Sequence, residues 1–331
     1  MNTVKLKAFS WLLVSLQLAL PALAFTPVLN SVQPRGGQRG TEMTIRLSGD
    51  RLYDPEEILF YQPGISVIKL ETVGDQDKAV QATVSIAPDA PLGEHLMRLR
   101  CKGGLSYLRS FWVGEYPTVM EERNKERTAD LNSNFDSPQK IQINQTIQGV
   151  ADKEDADYYV LQCRKGQRLS VEVEGMRLGR TLFDPYVAIL NSDRFELASS
   201  DDTALLFRDC AASIIIPEDG PYTVLVCESS YQGTSACQYR LHVGEFPRPT
   251  AIFPPGAQPG KEHEFTFVGD PTGNLASKIQ IPDTTANYRA FIKNGGWHSP
   301  SGLPVRISSL PFHNEAEPNE GTTQASPMEP P

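Results

Sequence analysis

Apolar side chains recur at every second position in run after run of this chain. "MTIRL" aligns Met43, Ile45 and Leu47, "VQATVSI" aligns Val80, Ala82, Val84 and Ile86, and "MRLRC" aligns Met97, Leu99 and Cys101. A strand sends successive side chains to opposite faces, so this period buries one face of a sheet and leaves the other polar. Between the runs stand "RGGQRG", "SGDRL", "PDAPLGE" and "CKGG", sequences that turn a chain rather than extend it. No window carries the stripe of an amphipathic helix. The 26 prolines and 25 glycines, a burden for helices, suit short strands joined by turns. The expected fold class is all-β, built from tandem sandwiches.

The N-terminus reads differently. Lys5 and Lys7 precede the apolar run "AFSWLLVSLQLAL", which ends in "PALA" with Ala22 and Ala24. That order predicts a secretory signal peptide over residues 1–24. The run is too short for the ~20 residues that span a bilayer. Without the two leader lysines, 29 basic residues face 40 acidic ones, a net charge of −11. Such a surface cannot displace the counterions of a polynucleotide, so nucleic acid is excluded as a partner. The expected location is secreted, extracellular or at the cell surface.

Composition divides the remainder. Alternating runs from residue 25 to 115 form one module, and the hydrophilic "EERNKERTADLNSNFDSPQ" predicts a polar linker over 116–127. A second strand-rich stretch runs from 128 to 246, with "RLSVEVEG", "PYVAILN", "DCAASIIIPEDGPYTVLVCE" and "CQYRLHVG". A third, over 247–312, repeats the logic of the first in "TAIFPPGAQPGKEHEFTFVGDPTG".

Two resemblances sharpen this division. "VLNSVQPRGGQRGTEMTIRLSGDRL" and "PDAPLGEHLMRLRCKGGLSYLRSFWVGEYP" resemble the opening and closing strands of IPT/TIG-type immunoglobulin-like domains. The family implies a spacer or binding module without catalytic residues. In the second stretch, "GVADKEDADYYVLQCRKGQRLSVEVEGMRLG", "LFDPYVAILN", "ASSDDT", "PEDGPYTVLV" and "YRLHVG" follow the order of the bacterial pre-peptidase C-terminal domain. That resemblance implies a jelly-roll-type sandwich. "EAEPNEGTTQAS" is similar to the start of a second such domain, which makes 313–331 a disordered tail in this reading. It supplies Glu315, Glu317 and Asn319, fewer oxygens than calcium needs.

Calcium enters through the same resemblance. In calcium-binding relatives an E-x-E-x-N segment and acids of the following strand hold the ion; here the segment reads Thr128, Ala129, Asp130, Leu131, Asn132. The leading Glu is replaced and the second shortened, while "ADKEDADYY" keeps its acids. The candidate Ca²⁺ ligands are therefore Asp130, Asn132, Asp155 and Asp157. Several carboxylates converge only where a cation offsets their repulsion. Asp201 and Asp202 read as a turn.

Enzymatic motifs are missing: no G-x-S-x-G elbow, no H-E-x-x-H helix, no P-loop. His263 and Glu264 in "KEHEF" sit on an alternating strand and lack a second histidine. Five cysteines (Cys101, Cys163, Cys210, Cys227 and Cys237) include no C-x-x-C pair. A Cys227–Cys237 bridge across a hairpin is disfavoured because the two side chains leave opposite faces, and Cys101, Cys163 and Cys237 read as buried thiols. Tyr158, Tyr159, Tyr222 and Tyr239 read as packing residues, and Trp297, in a Gly-rich loop, as an aromatic folded over a core. The chain is expected not to be an enzyme. It reads as a secreted or cell-surface binding or adhesion protein, with an extracellular polymer, surface protein or glycan as partner. The alternative is the N-terminal accessory part of a secreted peptidase or other hydrolase, catalysis lying outside this chain.

Overall fold

The computed structural model describes residues 26–74, 77–123, 131–284, 288–311, 316–325 and 327. The expected leader lies outside them, as do Asp130, Glu315 and part of the expected tail. The fold is all-β, with tandem sandwiches and separate cores.

The first sandwich has a four-stranded and a five-stranded sheet, the fifth strand being the short Gly104–Leu105, which pairs with Gly93–Cys101. One orders Val28–Gln33, Glu42–Asp50, Ala79–Ile86 and Ile65–Thr72; the other orders Gly36–Gln38, Arg109–Gly114, Gly93–Cys101 and Pro55–Phe60. Val28–Gln33 runs antiparallel to Glu42–Asp50, then Pro34 breaks the ladder and Gly36–Gln38 joins the opposite sheet, parallel to Arg109–Gly114. Proline cannot donate to a ladder, which suits it to such a crossing. Gly36 is required there: a Cβ would lie 2.1 Å from the Trp112 carbonyl oxygen. The third module repeats the device at Pro254. Ala251–Phe253 pairs with Glu262–Val268, and Gly256–Ala257 then runs parallel to Leu303–Ile307. Met97, Leu99, Ile45, Leu47 and Val84 fill the first core, and Phe265, Phe267 and Leu303 the third. Burial of each such side chain contributes roughly 1.5–3 kcal/mol.

The central sandwich stacks two five-stranded sheets. Thr118–Met120, Gln145–Val150, Gln238–Gly244, Arg168–Glu174 and Ala211–Ile215 form one. Gln139–Lys140, Ala156–Cys163, Gly220–Glu228, Pro185–Leu190 and Glu196–Ser200 form the other. Here the expected linker over 116–127 is corrected. Tyr116 is buried, and Thr118–Met120 is an edge strand parallel to Gln145–Val150. The chain therefore enters the second sandwich before its polar run begins. Val119 packs against that sandwich's core, which a solvated linker would forgo.

The polar face of this sheet is dry. Every residue of Arg168–Glu174 is buried: Leu169, Val171 and Val173 face the core, while Ser170, Glu172 and Glu174 are covered from the other side. The first module contributes Arg35, whose amide donates to Oε1 of Gln148 at 2.5 Å and whose guanidinium donates to the Leu178 carbonyl. The third contributes Arg248, 3.0 Å from Glu172, and Ser301, which donates to Glu172. Asp270 pairs with Arg168 at 3.0 Å. At the joint between the first two modules, Glu115 accepts from the backbone amide of His298 at 2.9 Å, and Tyr116 donates to the His298 carbonyl at 3.0 Å. Trp297 packs its ring 5.2 Å from that of Tyr116, so this loop aromatic covers a junction between modules.

All five cysteines are buried free thiols. Cys163, Cys210 and Cys237 lie in the central core; Cys227 lies on the strand Gly220–Glu228, outside that core. Burial pushes the thiols of Cys101, Cys163 and Cys227 up to about 11, where little thiolate forms at neutral pH. The native protein should therefore resist alkylation, and the thiols should react together on unfolding. Mass spectrometry after a timed iodoacetamide pulse checks this; rapid single-site labelling of the folded protein would contradict it.

Candidate metal centre

A group of buried oxygen donors sits where the second sandwich begins. Glu121 follows the edge strand; its backbone amide donates to the Gln148 carbonyl and its Oε2 accepts from the Val150 amide at 3.0 Å. Those two bonds on the neighbouring strand turn its side chain inward, leaving it 1% exposed. Asp155 lies in the turn before Ala156–Cys163 and accepts from the Ser133 hydroxyl at 2.8 Å. Asp157 occupies an inward position of that strand, fully buried, and its Oδ2 accepts from the Tyr239 hydroxyl at 2.6 Å. The tyrosine is itself 2.5 Å from the hydroxyl of Tyr159. One oxygen from each of Glu121, Asp155 and Asp157 lies within 4.8 Å of the others.

Asn132 is brought to the same buried region. Its backbone carbonyl accepts from the Tyr158 amide at 2.9 Å, and its side chain sits against the Tyr159 hydroxyl. Oδ1 of Asn132 and Oδ1 of Asp157 are buried and accept no hydrogen bond. An acceptor buried without a donor costs roughly 1–3 kcal/mol, which a bound cation would offset.

Electrostatics point the same way. Burial first, then the charge and hydrogen bond of Glu121 and the charge of Asp155, push the Asp157 carboxyl well above its usual range. Without a cation, these neighbours favour the neutral form of Asp157. The donor set is oxygen only, as a hard cation prefers, and the spacing suits calcium: ligands about 2.4 Å from one ion lie at most about 4.8 Å apart. The residues present fit calcium.

Of the sequence-predicted ligands, Asn132, Asp155 and Asp157 converge and Asp130 lies outside the described residues. Glu121 is not among them, because it opens the polar run inside the linker expected over 116–127. The signal available was the short apolar pair Val119–Met120 before it, an edge strand too brief to show alternation. Asp152 and Glu154 face outward, with Arg123 and Lys153 respectively as ion-pair partners. Asp201 and Asp202 form a turn, the Asp202 amide donating to Asp201.

No family model matches this chain, and no curated protein does. Among solved structures the chain is similar to the pre-peptidase C-terminal domain of collagenase from Bacillus anthracis, at 15% identity and a TM-score of 0.26, over 32% of this chain and 93% of that one. It is also similar to SGBP-B from a complex xyloglucan utilization locus in Bacteroides uniformis, at 12% identity and a TM-score of 0.23, over 66% and 73% of the two chains. A third likeness is to domains 5–6 of the S-layer protein SbsC, at 10% identity and a TM-score of 0.21, over 78% and 100%.

Proposed function

We propose that this chain is a non-catalytic, exported binding protein whose central sandwich is fastened by calcium. The observation that carries the calcium is the convergence of the buried carboxylates of Glu121, Asp155 and Asp157, with Asn132 in the same buried region. Export is supported by the leader-like N-terminus, and no helix among the described residues is long and apolar enough to cross a membrane. Calcium would tie the entry strand of the module, through Glu121, to the hairpin that carries Asp157. It would thereby stiffen the joint between the first two modules.

Calcium bound only by the folded state raises stability by about 2.7 kcal/mol at a concentration 100 times its Kd. Protein stripped with a chelator should therefore melt higher when calcium is restored, and Asp155→Ala should lose that response. The response should also grow with pH, because the ion competes with protonation of Asp157, which burial and the charge of Glu121 favour. Asp157→Asn separates the effects. It removes the repulsion, so the stripped protein should melt higher than wild type while losing its response to calcium. A flat calorimetric titration of stripped wild-type protein at millimolar calcium would end the reading.

A further inference from the structure

A cleft of about 880 Å³ opens where the three modules meet, within the range of roughly 300–1,000 Å³ typical of ligand sites. Glu94 and Trp112 come from the first module, Arg177 and Phe207 from the second, and Tyr288, Arg289 and Phe291 from the third. The cleft thus exists only while all three are docked.

Its chemistry is uneven in an informative way. Trp112 is 8% exposed, and its indole Nε1 is buried without a hydrogen-bond acceptor. Buried indole N–H groups ordinarily find a partner, so this one is a donor waiting for an acceptor. Arg177 stacks over the same indole at 5.8 Å, but Asp209, Ser301 and Glu172 occupy its own donors. Arg289 differs. Its Nη1 donates to the Gly302 carbonyl at 2.8 Å; among the described residues no carboxylate lies within ion-pair distance of it, and Glu94 of the same cleft and Glu172 act on its charge from farther away. Phe207, 73% exposed, and the half-buried Tyr288 and Phe291 supply aromatic surface beside these donors.

We propose that this cleft binds an acidic oligosaccharide, a uronate whose carboxylate pairs with Arg289 and whose ring oxygens accept from Trp112. The weakly positive C–H face of a sugar ring suits the negative face of an aromatic ring, and a guanidinium fork suits a carboxylate. A neutral sugar would leave Arg289 without a direct ion-pair partner, served only by the more distant charges of Glu94 and Glu172; a peptide carboxylate would pair with Arg289 but would not spread over several rings. The proposal rests on reading the chain as a binding protein, and is independent of calcium.

The test is calorimetric titration of the protein with trigalacturonate, cellotriose and a tripeptide bearing a free C-terminal carboxylate. Trigalacturonate should bind, more weakly as salt is raised, and cellotriose should bind roughly tenfold more weakly or worse. Arg289→Ala should weaken trigalacturonate by roughly tenfold or more, and Trp112→Phe, which keeps a smaller aromatic ring but removes the N–H, by several-fold. Phe207→Ala alters only exposed surface, so it should weaken binding without disturbing folding. Equal affinity for cellotriose, preference for the tripeptide, or affinities unmoved by Arg289→Ala and Phe207→Ala would overturn the uronate assignment. The first two outcomes would leave the binding-protein reading standing. No binding by any probe, with the melting response to calcium intact, would sink the cleft and leave the metal site in place.

Discussion

An Arg177→Ala variant should lose about 3–5 kcal/mol of stability, the cost of removing one partner from a buried ion pair. The Arg177 side chain is 6% exposed and works in three directions: to Asp209 at 2.5 Å, to Glu172 at 3.2 Å and to Ser301 of the third module at 2.5 Å. Glu172 keeps Arg248 and Ser301 after the substitution. Asp209 keeps the backbone amides of Gly175, Met176 and residue 177, 3.0, 2.6 and 3.4 Å away, and loses its ion-pair partner among the described residues. Burial already pushes Asp209 upward despite the opposing charge of Arg177, so without that charge it should take a proton. Calorimetry should show the main transition lowered and a separate early one for the third module. The double variant Arg177→Met, Asp209→Asn removes both charges together and should recover much of the loss. If Arg177→Ala melts like wild type, the buried network does not hold the modules together.

That network shows where legibility in the sequence ended. Period-two alternation in "RLSVEVE" gave Leu169, Val171 and Val173 as the inward set, and they are in the core. The same pattern assigns Ser170, Glu172 and Glu174 to the opposite face but cannot say what covers it. A polar face against water and a polar face against the arginines of another module read identically along the chain. The difference lies in Arg35, Arg248 and Ser301, more than 50 residues away from Glu172 on either side. The candidate metal centre was legible in part for a related reason. Asp155 and Asp157 announce themselves as a local acidic cluster, whereas Glu121 reaches them only because a three-residue strand pairs with Gln145–Val150. The junction cleft, assembled from three modules, left no local trace.

Acid should reveal the second buried pair. Burial alone would raise the Glu174 carboxyl, but Arg240, whose Nη1 lies 2.6 Å from it, and His242 outweigh that and hold it down at about 2. A group depressed on folding stabilises the native state above its unfolded pKa, near 4.5, and loses that contribution as pH falls toward the folded value. A shift of this size is worth roughly 3 kcal/mol. Stability should therefore decline between about pH 4.5 and 2, as protonation leaves the buried Arg240 without its counter-charge. Glu174→Gln places the protein in that condition at every pH. It should melt well below wild type at pH 7, by about 3–5 kcal/mol, and the gap should close as wild type approaches pH 2. Parallel denaturation curves at several pH values give the comparison directly. A gap that stays constant with pH would mean that the substitution acts through packing, and that the Glu174 charge contributes nothing to holding Arg240 beneath the first module.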